Sequence, residues 1–289
     1  MARQRIMVAT DFSSHAQRAV ARAAALATEH DARLDVVHAI PGPDILGKLF
    51  GSRREAAEAE HAVAERLAAV VAPLTASGID ARAKLVKGPP AQAIAEGMGR
   101  HAPMALVVGA HGKSSARDVV FGTTAERLVE RAMCPILVVK SSARKPYQRV
   151  LVSVDLGPAS AQALAAAEAL CPSATVLALH VFEALFEMKL LGAKVGEEAV
   201  RRHRADSRRR AGQELQAFLG ERQRAPGRVK SVLRNGSAPE QIVGAVAQYR
   251  CDLVVVGRNR SLASDLFVGS VSKHVLRRAD ADVLVVARR

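Results

Sequence analysis

A chain of 289 residues, 49% hydrophobic and 24% charged, has the length and balance of two ordinary globular domains rather than of a disordered segment. Its three widely spaced cysteines, Cys134, Cys171 and Cys251, argue against a disulfide framework or a zinc site, and 3% aromatics argue against a stacking platform for single-stranded nucleic acid. No stretch reaches the uninterrupted apolar length of a membrane span, and Met1 to Ile6 run into a strand pattern without a signal-peptide core, so a cytoplasmic protein is expected.

In chain order, residues 5–9, 33–39, 81–87, 104–109 and 135–140 read as strands, short and mostly Val, Ile and Leu, as in a parallel sheet covered on both faces. Residues 13–29 carry Ala16, Val20, Ala23, Ala24 and Ala27 at helical spacing behind an N-cap at Ser13 or Ser14. Residues 53–77 repeat the pattern with Ala56, Ala59, Val63, Leu67, Val70 and Val71. Strands alternating with helices imply βαβ units and a doubly wound α/β sheet.

The second half repeats the first at offsets between 142 and 148 residues. Ile6–Asp11 reappears as Val150–Asp155, Leu34–Ala39 as Val176–Val181, and Ile136–Val139 as Val283–Val286. Gly88 and Ile94 are echoed by Gly236 and Ile242. This is a tandem duplication. The polar stretch Ser141–Pro146 is its linker, giving domain 1 as residues 1–143 and domain 2 as 144–289.

The net charge of +14 is divided unequally between the halves. The first has 18 basic against 14 acidic residues; the second has 24 against 14. Much of the excess lies in Arg201–Arg204 and Arg208–Arg210, followed by Arg222, Arg224, Arg228 and Lys230. Such a run attracts an acidic partner, nucleic acid or anionic lipid. The plainer reading is a solvated helix face, and no base-reading motif accompanies it. Just upstream, the apolar segment Leu185–Leu191 reads as core packing or a lid over the second crevice.

A glycine pattern carries the chemistry. Strand Met104–Val108 leads into Gly109-Ala110-His111-Gly112, then nine residues to Gly122-Thr123-Thr124, which opens a predicted helix. Glycines let a backbone approach a ligand, while the N–H groups of a helix start, helped by threonine hydroxyls, hold phosphate oxygens. No Walker lysine follows, and the tight dinucleotide Gly-x-Gly-x-x-Gly is absent. His111 and Lys113 lie in the loop facing phosphate. Asp11 ends the first strand, and ligands in such sheets bind beyond strand carboxyl ends at a switch point. Its carboxylate suits ribose hydroxyls, a bridging Mg²⁺, or a purely structural cap of the first helix. His38 and His180 order backbone at their strand ends. No nucleophile–base pair suggests catalysis.

Taken together, these residues resemble the universal stress protein family, in its tandem two-domain form, over essentially the whole chain. The family's ATP-binding signature, Gly-x2-Gly-x9-Gly-Ser/Thr, is met by Gly109, Gly112, Gly122 and Thr123. Thr10-Asp11, Val37-His38-Ala39 and Gly88-Pro89-Pro90 support it. The resemblance implies two Rossmann-like domains, each with strand order 3-2-1-4-5 and helices on both faces. It implies ATP, or AMP or ADP, with Mg²⁺ on the phosphates. Ala9, Thr10, Asp11 and the backbone of Ala39 would meet adenosine, and Val108, Gly109, Gly112, Gly122, Thr123 and Thr124 would cradle ribose and phosphates. It also implies pairing of the final strands Ile136–Val139 and Val283–Val286 in an intramolecular pseudo-dimer, with a homodimer as the next level of assembly.

Domain 2 departs from the signature at a second candidate site formed by Asp155, Gly257, Arg260, Gly269 and Ser270. Arg260 stands where the middle glycine belongs, and the run to Gly269-Ser270 is one residue short. Its side chain either blocks ATP or supplies a charged contact to a smaller anion. The expected function is therefore nucleotide sensing or regulation with at most slow ATP hydrolysis. An interaction module using the arginine-rich helix and an adenylyl-transfer enzyme are the alternatives; the latter's His-x-Gly-His and Ser-Gly-Gly-x-Asp-Ser loops are absent.

Overall fold

The computed structural model describes residues 3–42, 45, 52–97, 103–111, 122–131, 134–142, 145–182, 197–221, 227–258 and 269–287. The chain divides into two compact units, chiefly between Pro146 and Tyr147.

The first unit contains β1 (Arg5–Ala9), α1 (Ser14–Glu29), β2 (Arg33–Ile40), α2 (Arg53–Ala76), β3 (Ala81–Lys87), α3 (Pro90–Gly97), β4 (Ala105–Gly109), α4 (Thr123–Arg131) and β5 (Ile136–Val139). Its strands pair in parallel in the order β3-β2-β1-β4-β5. Chain direction across the sheet reverses between β1 and β4, so right-handed crossovers set α1 and α2 on one face and α3 and α4 on the other. Ile6, Met7 and Val8 are all fully buried although their side chains alternate sides, as a sheet covered on both faces requires.

Local sequence explains the helix entries. Ser13 is the N-cap of α1, its hydroxyl accepting from the Ala16 N–H at 3.2 Å, and Ser52 caps α2 through the Glu55 N–H at 3.2 Å. The small residues Ala16, Ala19, Ala23 and Ala27 on the buried face of α1 let it lie close against the sheet. Edge strand β3 carries Arg82, Lys84 and Lys87, charges that discourage further pairing.

The second unit repeats the plan with β6 (Arg149–Val154), α5 (Pro158–Leu170), β7 (Thr175–Phe182), α6 (Glu197–Gly220), β8 (Val229–Asn235), α7 (Ala238–Tyr249), β9 (Leu253–Arg258), α8 (Ser270–Arg278) and β10 (Asp282–Ala287). The order is β8-β7-β6-β9-β10, again parallel. Both units are thus the doubly wound, Rossmann-like sheet expected from the sequence. No described helix is long and apolar enough to cross a membrane.

Candidate functional site in the first domain

At the carboxyl ends of β1 and β4, where the topology switches, the first domain opens into a cavity of about 310 Å³. Its lining includes Ala9, Thr10 and Asp11 from the end of β1, Ala39 from β2, Val108 and Gly109 from β4, and Gly122, Thr123 and Thr124 at the start of α4, with His111 from the loop. All the candidate residues that fall among those described therefore meet in one crevice. Gly112 and Lys113 lie outside the described residues.

The floor is held by short hydrogen bonds. Thr10 donates its N–H to the Val37 carbonyl at 2.9 Å, and its Oγ1 accepts the Phe12 N–H at 3.1 Å. The Thr10 carbonyl receives His38 Nδ1 at 2.7 Å, which fixes the ring and places the proton on Nδ1. His38 thus orders backbone, as its strand-end position suggested, and it also lines the cavity. Phe12 sits at φ 63°, a left-handed conformation rare for a bulky residue. Its ring is held 4.4 Å from that of His38 and 4.4 Å beneath the Arg66 guanidinium. That turn lets Asp11 Oδ1 accept the Ser13 N–H at 3.0 Å. The helix cap is thus Ser13 rather than Asp11, whose carboxylate instead braces the cap residue's N–H while lying on the cavity wall.

The two glycines do different work. Gly122 is buried, its N–H donating to the Ala110 carbonyl at 2.9 Å and its carbonyl accepting from Glu126 at 3.0 Å, so it closes the entry to α4. Gly109 faces a steric limit from the protein itself. A Cβ there would lie 2.9 Å from the backbone carbon and oxygen of His15 and 3.2 Å from Ala16 N. Glycine at this strand end is demanded by packing against α1.

Sequence reasoning missed part of the wall. Ala16, Pro90, Ile94, Ala125 and Leu128 supply its apolar surface. Pro90 and Ile94 were visible as motif neighbours of Gly88, whereas nothing in the pattern marked the other three. His15 was also missed; its ring lies 4.9 Å from that of His111, edge to face, and its Nδ1 accepts from Arg18 Nη2 at 2.7 Å. Burial, then the nearby Arg18 and His111, hold the His15 pKa below its usual value of 6.5, with Asp11 opposing.

The second domain has a corresponding cavity of about 230 Å³ lined by Asp155, Gly257, Gly269 and Ser270. Arg260 lies outside the described residues, and residues that are described at the second cavity also differ from their counterparts in the first. Val181 stands where the first domain has Ala39, narrowing the wall, and Val154 stands where it has Thr10, exchanging a hydroxyl for a methyl of similar size. Ser160 replaces Ala16 and ties down the carboxylate. Its Oγ accepts the Asp155 N–H at 2.8 Å and donates to Asp155 Oδ1 at 2.5 Å, while the Gly157 N–H reaches the same oxygen at 2.9 Å. Leu156 repeats the left-handed turn at φ 63°, and His180 Nδ1 repeats the bond to a strand-end carbonyl, that of Val154, at 2.8 Å.

The arginine-rich run is the exposed side of α6. Arg202 pairs with Glu198, 2.5 Å away, and Arg209 with Asp206 at 3.0 Å, as on a solvated helix. Arg228 is structural, its guanidinium donating to the carbonyls of Cys171 at 2.7 Å and Ala174 at 3.4 Å. Arg222, Arg224 and the segment Leu185–Leu191 lie outside the described residues.

The model of the universal stress protein family matches the chain twice, over residues 2–140 and 146–287. The chain belongs to the universal stress protein family. A universal stress protein of Thermus aquaticus is 37% identical over 140 residues, 47% of this chain and 97% of that one. Another, from Methanocaldococcus jannaschii, is 27% identical over 139 residues, 47% of this chain and 82% of its own length. Among solved structures, a universal stress protein of Archaeoglobus fulgidus superposes over 100% of both chains with a TM-score of 0.69 at 18% identity. A Pseudomonas aeruginosa protein of unknown function covers 99% of this chain and 93% of its own, with a TM-score of 0.63 at 16% identity. At such identities the structural likeness speaks for the fold, and the doubled family match for two tandem universal stress protein domains.

Proposed function

We propose that this universal stress protein binds an adenine nucleotide, ATP or its ADP and AMP products, in the first domain, and acts as a sensor or regulator rather than as an efficient catalyst. The observation that carries this reading is the convergence of Ala9, Thr10, Asp11, Ala39, Val108, Gly109, Gly122, Thr123 and Thr124 on one cavity. Its volume of about 310 Å³ lies at the lower end of the range of small-molecule sites, about 300–1,000 Å³. The apolar wall of Val108, Ile94 and Leu128 suits a base, Asp11 suits ribose hydroxyls, and the N-terminus of α4 suits phosphate. Magnesium would enter on the phosphates. Among the described residues no group of three or more His, Cys, Asp or Glu forms a metal cage. The second cavity, at about 230 Å³ and with its carboxylate bound to Ser160, suits a smaller ligand.

The weak-catalyst reading rests on the ring environment. His38 spends Nδ1 on the Thr10 carbonyl, and His15 Nδ1 is engaged by Arg18. Among the described residues neither ring hydrogen-bonds a hydroxyl or thiol that it could activate as a nucleophile.

Titration of dialysed protein with ATP, alongside the variants Ala39→Val and Asp11→Ala, tests the reading. Ala39→Val copies Val181 into a strand position that favours valine, so the fold should survive while the cavity narrows. The expected result is binding by the parent chain and a loss of about tenfold or more in Ala39→Val. A parent chain that does not bind ATP, or both variants binding as the parent does, would overturn it.

A further inference from the structure

The opposite end of the second domain carries a site that the nucleotide crevice does not explain. There, at the amino ends of the strands, lies a shallow groove of about 650 Å³ lined by Arg149, Thr175, Leu177, Lys230, Gln248, Tyr249 and Arg250. The register explains the convergence. Arg149 pairs across from Thr175 and Leu177 from Lys230, while Thr175 and Leu177 are two apart on one strand. All four therefore project from the same face of the sheet. It is the face on which α7 packs against β6 and β7, and the C-terminus of α7 brings in Gln248, Tyr249 and Arg250.

The first domain shows what this end looks like when it is electrostatically closed. There Asp35, fully buried, takes Arg5 Nε at 3.3 Å and Lys84 Nζ at 2.8 Å, and Asp80 takes Arg33 at 3.1 Å. By register Leu177 occupies the position of Asp35, and Arg149 that of Arg5. Counting back from Leu34 and Val176, which open the same β-register, Arg228 stands where Asp80 does. Both neutralising acids have gone; Arg33 and Lys84 have become Thr175 and Val232, while Arg5 and Arg82 keep cationic counterparts in Arg149 and Lys230. Among the described residues no ion pair engages Arg149, Lys230 or Arg250. The neighbouring carboxylate, Asp252, accepts the backbone N–H groups of Gln148 at 2.8 Å and Arg149 at 3.1 Å.

Arg250 is a second, independent sign. It caps α7 in the left-handed conformation, φ 50° and ψ 51°, a position where glycine is the favoured residue. An arginine held there presents a long cation to the groove at a conformational cost that glycine would avoid.

We propose that this groove binds linked phosphates, an oligophosphate chain, either free or as the tail of a nucleotide. Arg149 and Lys230 stand on strands two apart, about 10 Å at the backbone, a span that a single small anion does not bridge and a chain of phosphates does. Arg250 closes the third side. Thr175 and Gln248 add neutral polar groups at the wall. The site is separate from the crevice at Asp11, and its fate does not depend on whether that crevice binds ATP.

The test is titration of the full chain with inorganic tripolyphosphate at low ionic strength, compared with Arg250→Gly, Lys230→Gln and the double variant. Arg250→Gly removes the charge while relieving the left-handed strain, so its thermal midpoint should hold or rise as binding falls. The double variant should lose affinity by about ten- to hundredfold, and Ala39→Val at the other site should leave it unchanged. Competition by ATP would assign the phosphates to a nucleotide tail; failure to compete would assign them to a free chain. Unchanged affinity in the double variant overturns the proposal. So does complete displacement by sulfate at matched ionic strength, which would show a general anion patch.

Discussion

Gly109 and His15 approach so closely that a Cβ on the glycine would lie 2.9 Å from the His15 carbonyl carbon. The same relationship holds between Gly257 and Ala159, whose carbonyl carbon and oxygen would both be 3.0 Å away. The glycine that ends the fourth strand of each domain is thus set by helix–sheet packing. In the first domain it also borders the crevice proposed to hold the nucleotide.

Gly109→Ala and Gly257→Ala should therefore each destabilise their own domain by about 1–3 kcal/mol, because backbone cannot move aside as a flexible side chain would. Chemical denaturation without nucleotide checks this. A Gly109→Ala chain as stable as the parent, but unable to bind ATP, would return that glycine to a purely ligand-facing role.

His15 should titrate below 6.5, the value of an unperturbed imidazole. Burial is the largest cause, and the first turn of α1 adds a positive helix end that disfavours the imidazolium. The sign follows from linkage. A folded pKa below the unfolded one means the contribution is complete above about pH 6.5 and is lost as pH falls below it toward the folded pKa. Arg18→Gln should raise the pKa only partway, since burial remains. Nuclear magnetic resonance titration of the histidine rings reads both, and a His15 midpoint at or above 6.5 would contradict the assignment.

Cys251 should be inert to thiol reagents in the folded chain. Burial pushes its thiol up to about 11, with Asp252 adding to the effect, so almost no thiolate exists at neutral pH. Labelling with a disulfide reagent at pH 8, before and after denaturation, checks it; rapid reaction of Cys251 in the folded protein would show a more open site.

Much of this was legible in the sequence because the relevant physics is local. Five short, mostly Val/Ile/Leu runs in the first half specified strands, Ser13 or Ser14 a cap, and Gly122-Thr123 a helix start. The strand order came from the family resemblance, and the repeat carried it from one half to the other. The crevice was legible through Asp11 and Gly109 because both end strands that the topology makes neighbours. What escaped was everything set by tertiary approach. The backbone of His15 beneath Gly109 is such a case, as is the Ser160 hydroxyl on Asp155. The exchange of Asp35 for Leu177 is another: as single letters they are only an acid and an aliphatic residue, and pairing register is needed to show that Asp35 neutralises Arg5 whereas Leu177 leaves its counterpart Arg149 without that carboxylate. The asymmetry between the domains was read from Arg260, whereas the described residues place it also at Val181, Val154 and Ser160.

The central claim is that one fold occurs twice and the adenine nucleotide belongs to the first copy. Photolabelling with an azido-adenine analogue of ATP, followed by peptide mapping, compares the two crevices in a single chain. Label is expected on peptides around Asp11, Ala39 and Val108, and suppressed by unlabelled ATP. Comparable ATP-suppressible label around Asp155, Val181 and Val256 would contradict the account.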